Sequence, residues 1–152
     1  MSRAETAKEY FTQGYACSQA VALAFADVCG VDKETLTKIT LPFGGGMGRL
    51  RLTCGAVSGM AAMVGLFCSK AENNPENKKN TYAIVQTLCG KFKEQTGSLL
   101  CGELLSGMNV PVEVGGTAEA RTPQYYQKRS CADLVYLAAE ILENYLTEQG
   151  IL

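Results

Sequence analysis

Helix signals punctuate almost the whole chain and leave little room for a sheet. Ser2 with Glu5 three residues on forms a capping box, opening a helix that Gly14 stops. A second helix is expected over about residues 17–29, with Val21, Ala24, Phe25 and Val28 on one face and Gly30 at its end. Asp32 caps a short third helix that ends before Leu41-Pro42. Residues 53–68 carry Gly55, Ala56, Gly59, Ala61 and Ala62, which suits a central helix that its neighbours approach closely. Asn74-Pro75 starts a long helix running to about Gln95, ahead of Gly97. Ser98 caps a short helix through Leu105, which Gly107 ends. Thr122-Pro123 opens the last helix, striped by Leu134, Leu137, Ala138, Ile141, Leu142, Tyr145 and Leu146. Ser130 and Asp133 offer a second capping pair at which that helix can break. Residues 108–121 read as the longest loop, where alternating Val110, Val112 and Val114 admit a short strand. Nothing resembling a linker or an internal repeat divides the chain. The expected fold is all-α: a single compact domain over residues 1–152, of about six to seven helices packed around the small-residue helix.

Composition narrows the functional classes. A chain of 152 residues can sustain one apolar core. Apolar residues make up 47% of it and charged residues 19%, against roughly 25% charged in typical soluble domains. That excludes intrinsic disorder and suggests an apolar surface covered by a second copy, most simply in a homodimer. With a net charge of −1 there is no electrostatic case for nucleic acid or an anionic membrane. The longest apolar run, residues 57–68, is broken by Ser58, Gly59 and Gly65 and is too short to span a bilayer. The polar start Met1-Ser2-Arg3-Ala4-Glu5 is unlike a signal core, so the expected compartment is the cytoplasm, with thiols reduced. Histidine is absent, which removes Ser-His-Asp and Cys-His catalysis, His-ligated haem and every His-containing zinc site.

Seven cysteines remain as the chemistry-bearing residues, with no CxxC among them. Four share a setting at an expected helix start: Cys17 after Gly14-Tyr15-Ala16, Cys54 after the glycine-rich loop, Cys101 after Ser98, and Cys131 after Ser130. Free N–H groups and the positive dipole end at a helix start stabilise a thiolate. Arg49 and Arg51 precede Cys54, while Lys128 and Arg129 precede Cys131. Cys54 is the first candidate for the attacking thiol and Cys131 the second, because Cys54 joins a helix start, two arginines and an open glycine-rich approach. The competing reading is packing, since Cys17, Cys101 and Cys131 each continue an apolar face. The loop Gly44-Gly45-Gly46-Met47-Gly48 followed by Arg49 can bind an anion through its N–H groups. Equally, it can serve as a close passage of backbone past the small-residue helix.

Five segments resemble the C_GCAxxG_C_C family: Gly14 through Val21, the glycine-rich loop, Cys54-Gly55-Ala56-Val57-Ser58-Gly59, Gly97-Ser98-Leu99-Leu100-Cys101, and Arg129 through Val135. Members are bacterial or archaeal proteins of about this length, described as redox-active on account of four signature cysteines. The resemblance places those cysteines at Cys17, Cys54, Cys101 and Cys131, and leaves Cys29, Cys68 and Cys89 outside the pattern. It implies a class of chemistry without a substrate or a redox partner.

Three functions compete. The leading one is thiol–disulfide or electron-transfer chemistry, in which one signature thiolate attacks and another resolves the mixed disulfide. The second is a metal or iron–sulfur site with Cys17, Cys54, Cys101 and Cys131 as ligands. The third is a non-catalytic helical interaction module with buried cysteines.

Overall fold

The computed structural model describes all 152 residues and is all-helical. Eight α-helices follow one another: α1 (Arg3–Thr12), α2 (Cys17–Leu23), α3 (Lys33–Thr40), α4 (Gly55–Cys68), α5 (Pro75–Thr96), α6 (Cys101–Gly107), α7 (Pro123–Lys128) and α8 (Cys131–Glu148), with a single 3₁₀ turn (Leu41–Phe43) after α3. No helix is long and apolar enough to cross a membrane.

The starts obey local chemistry. Ser2 and Glu5 close the capping box of α1, and the side chains of Asp32, Asn74 and Thr122 accept from Thr35, Asn77 and Tyr125 N–H groups respectively. Gly97 ends α5 in the left-handed conformation at φ 90°.

Four departures from the sequence reading matter. The second helix stops at Leu23, and residues 24–29 continue as tight turns. The last helix does break, at extended Arg129, so eight helices form rather than six to seven. Ser98 is not the cap of α6; Leu100 occupies that position, while the Ser98 hydroxyl binds the Leu100 N–H (3.0 Å) and Glu103 (2.8 Å). No strand forms at Val110–Val114, because Arg51 takes the Glu113 carbonyl and Arg49 the Gly115 carbonyl. The only β pairing is an isolated antiparallel bridge between Thr53 and Leu100.

The innermost helix is α2 rather than the small-residue helix. Six of its seven residues, Ser18 to Leu23, are buried, and it meets α1, α3, α4 and α8. Its two polar residues are satisfied: Ser18 Oγ donates to Thr40 O (2.6 Å) and Gln19 Nε2 to Thr37 O (3.0 Å), tying α2 to the end of α3. Helix α4 lies against α2 through its glycines. A Cβ on Gly59 would stand 2.6 Å from Ser18 O, and one on Gly55 3.2 Å from the Cys17 Cβ. This close crossing brings the starts of α2 and α4, with Cys17 and Cys54, side by side. Beneath them Phe11, Phe25, Phe92, Met60, Met63, Leu88, Leu142 and Leu146 fill one continuous core.

A candidate thiol site lined with arginines

Cys17, Cys54, Cys101 and Cys131 all line one cavity of about 300 Å³, together with the glycine loop and four arginines, Arg49, Arg51, Arg121 and Arg129. Cys17 and Cys131 are the first residues of α2 and α8, and Cys54 caps α4. Cys101 opens α6 and is fixed by the neighbouring bridge, its N–H bonding Leu52 O at 2.6 Å while the Cys54 N–H bonds Leu99 O at 2.8 Å. Cys29, Cys68 and Cys89 lie outside the cavity. All seven cysteines are free thiols.

The glycine loop is an unusual stretch of backbone. Gly45, Gly46, Met47, Gly48 and Arg49 follow one another at φ between 56° and 71°, and Arg51 returns to φ 62°. Only glycine enters this region without steric cost, so Met47, Arg49 and Arg51 are held there by their surroundings. Gly46 shows why the position is glycine: an added Cβ would lie 2.6 Å from the Cys101 Cβ and 2.7 Å from Leu52 N. The turn therefore packs directly on Cys101 and aims the two arginines that follow it.

Sequence proximity predicts that those arginines attend Cys54, but their bonds go elsewhere. Arg51 donates from Nε to Glu113 O (2.8 Å) and from a terminal nitrogen to Cys101 Sγ (3.6 Å). Arg49 and Arg129 both hold Glu119, and Arg49 also reaches Glu113 at 3.5 Å. Arg121 donates to the carbonyls of Phe11 (2.9 Å) and Tyr15 (3.0 Å) and stacks on the Phe11 ring at 4.3 Å. Together they strap the 108–122 segment over the cavity. Arg121 and Glu119 had no local signal in the sequence; both come from the end of the longest loop, beyond its alternating valines, and only the tertiary fold brings them to the thiols.

The four thiols are not equivalent. Cys17 and Cys131 line the same cavity, and each is the largest single influence on the ionisation of the other. Cys17 is held well above the ordinary thiol value by the neighbouring Cys131, with burial adding to the effect. Cys131 is lowered by the neighbouring Cys17, helped by the charges of Arg129, Arg121 and Arg51 against an opposing effect of burial. We place the negative charge on Cys131 because three guanidinium groups favour it there, and because α8 is the longer of the two helices that these cysteines open. Cys54 goes the other way. It is 5% exposed, and burial pushes it up to about 12 although the Ala56 and Val57 N–H groups favour its thiolate. Desolvation works against the expectation that Cys54 is the most ionised thiol, and it outweighs the helix start.

No three cysteine, aspartate or glutamate side chains are grouped to hold one metal ion. The four-thiolate alternative, Cys17, Cys54, Cys101 and Cys131, thus lacks a ligand set in this arrangement.

Comparison with known proteins agrees with the family resemblance. The family described as "Putative redox-active protein (C_GCAxxG_C_C)" matches residues 15–145, and the chain belongs to this family. An uncharacterized protein of Archaeoglobus fulgidus is 27% identical over 162 residues, covering 98% of this chain and 99% of the relative. No solved structure matches with significance.

Proposed function

We propose that the protein exchanges two electrons with disulfides through the Cys17–Cys131 pair, with Cys131 as the attacking thiolate and Cys17 as the resolving thiol. The observation that carries this reading is the placement of both thiols in one arginine-lined cavity, where each is the strongest influence on the other and the arginines lower Cys131. Cys131 attacks one sulfur of a substrate disulfide, forming a mixed disulfide and expelling a thiolate. Cys17 gives its proton to that departing thiolate. Its own sulfur then attacks Cys131 Sγ, forming the internal disulfide and releasing the second half of the substrate as a thiolate. One disulfide is reduced, one dithiol is oxidised, and an external dithiol reverses the cycle. Cys54 and Cys101 line the same cavity and stay reduced in this first exchange. The glycine loop contributes shape and the aim of Arg49 and Arg51.

Blocking resolution tests the assignment. In a Cys17→Ser variant, addition of a small disulfide is expected to leave a stable mixed disulfide on Cys131, found by peptide mass spectrometry. The unaltered protein is expected to finish with Cys17 joined to Cys131, and Cys131→Ser to form no early adduct. A mixed disulfide that appears first on Cys54 or Cys101 contradicts the assignment.

A further inference from the structure

Charge in the cavity is not balanced by the protein. Four arginines line it, and Glu119 is the only carboxylate that does. That carboxylate is shared between Arg49 and Arg129. Arg51 has no carboxylate partner, only the Glu113 carbonyl and Cys101 Sγ. Arg121 likewise rests on two backbone carbonyls and aromatic faces. Yet Arg51 is 8% exposed and Arg129 7%. A cation withdrawn from water without a counter-charge is costly, and one thiolate at Cys131 still leaves the lining positive. The backbone also bears strain to place this charge, since Arg49 and Arg51 are non-glycine residues at φ 65° and 62°.

The cavity volume, about 300 Å³, lies at the lower end of the range for small-molecule sites. It suits a small molecule better than a folded chain. Leu104, Leu105, Met108 and Leu134 supply apolar wall, enough to cover a few methylene groups.

We propose that the substrate is a low-molecular-weight disulfide carrying a carboxylate a few bonds from its sulfur, the carboxylate paired with Arg51 and the disulfide facing Cys131. The sulfur half of this inference rests on the exchange reading above; the carboxylate half rests on the arginine surplus alone. Binding and exchange therefore separate the two.

The binding arm uses ligands that cannot exchange. Calorimetry on the reduced protein compares 3,3′-thiodipropionate, a dicarboxylate thioether, with neutral thiodiglycol. The dicarboxylate is expected to bind at least tenfold more tightly, to weaken as salt rises, and to lose that preference in Arg51→Gln. The salt series on the unaltered protein carries the test should that variant fail to fold. Equal affinity for the two thioethers, or indifference to salt, overturns the carboxylate inference. Full displacement by an equal concentration of sulfate overturns it too, reducing the site to one for any anion. The exchange arm compares 3,3′-dithiodipropionate with bis(2-hydroxyethyl) disulfide, and the first is expected to oxidise the protein at least tenfold faster. Tight thioether binding without exchange by either disulfide overturns the exchange reading and, with it, the identity of the substrate as a disulfide. Equal exchange by both disulfides overturns the carboxylate inference and leaves the exchange reading standing.

Discussion

Between pH 9 and about 12 the protein is expected to lose about 4 kcal/mol of stability through Cys54 alone. The sign follows from the direction of the shift. Burial raises the folded thiol from its ordinary value of 9.0 to about 12. Below pH 9 both folded and unfolded chains hold the proton, and the contribution is fully present. Above pH 9 the unfolded chain ionises while the folded one resists, so stability falls by up to about 1.4 kcal/mol per pH unit. The loss is complete once the folded thiol also ionises, near 12. Urea denaturation at several pH values, for the unaltered protein and for Cys54→Ala, isolates this contribution. The difference between the two is expected to shrink steadily above pH 9, whereas parallel curves would show that Cys54 is not desolvated.

The second large effect belongs to the glycine turn. Gly46→Ala places a Cβ 2.6 Å from the Cys101 Cβ and 2.9 Å from the Arg51 carbonyl carbon, at φ 71°. The left-handed backbone costs about 1–2 kcal/mol for alanine, and forcing the neighbours apart costs about 1–3 kcal/mol more. A total loss of about 2–5 kcal/mol in chemical denaturation is expected. Since the atoms that must move are those of Arg51, Leu52 and Cys101, the rate of Cys101 modification should change as well. Gly107→Ala serves as a control, because nothing lies within 4 Å of its added Cβ and its φ is not positive.

Much of the fold was legible because helix ends are local events. Ser2 with Glu5, Asp32, Asn74-Pro75 and Thr122-Pro123 each satisfy orphan N–H groups with atoms a few residues away. The four cysteines were legible for the same reason, since each lies at the start of a helix. What escaped was set by distant partners. Residues 110–114 alternate like a strand, but the carbonyl at 113 goes to an arginine sixty-two positions earlier in the chain. Arg51 is close to Cys54 in sequence, yet the Thr53–Leu100 bridge brings α6 alongside and gives that arginine to Cys101. Ranking the thiols needed burial above all. A helix start favours a thiolate by roughly 0.3–1 kcal/mol at an exposed site, and the desolvation of Cys54 exceeds that several-fold.

The order in which the native thiols react distinguishes Cys131 from Cys54 as the attacking thiol. At pH 7 a thiol titrating near 12 is only about one part in 10⁵ ionised, whereas an ordinary one at 9.0 is about one per cent ionised. Reduced protein is treated with limiting iodoacetamide across a pH series, and each cysteine is followed by peptide mass spectrometry. Among the four cavity thiols, Cys131 is expected to be labelled first, with a midpoint below that of an ordinary cysteine. Cys54 is expected to lag an exposed thiol by on the order of 10³-fold. Labelling of Cys54 alongside Cys131, or a Cys131 midpoint at or above the ordinary thiol value, would contradict the assignment of Cys131.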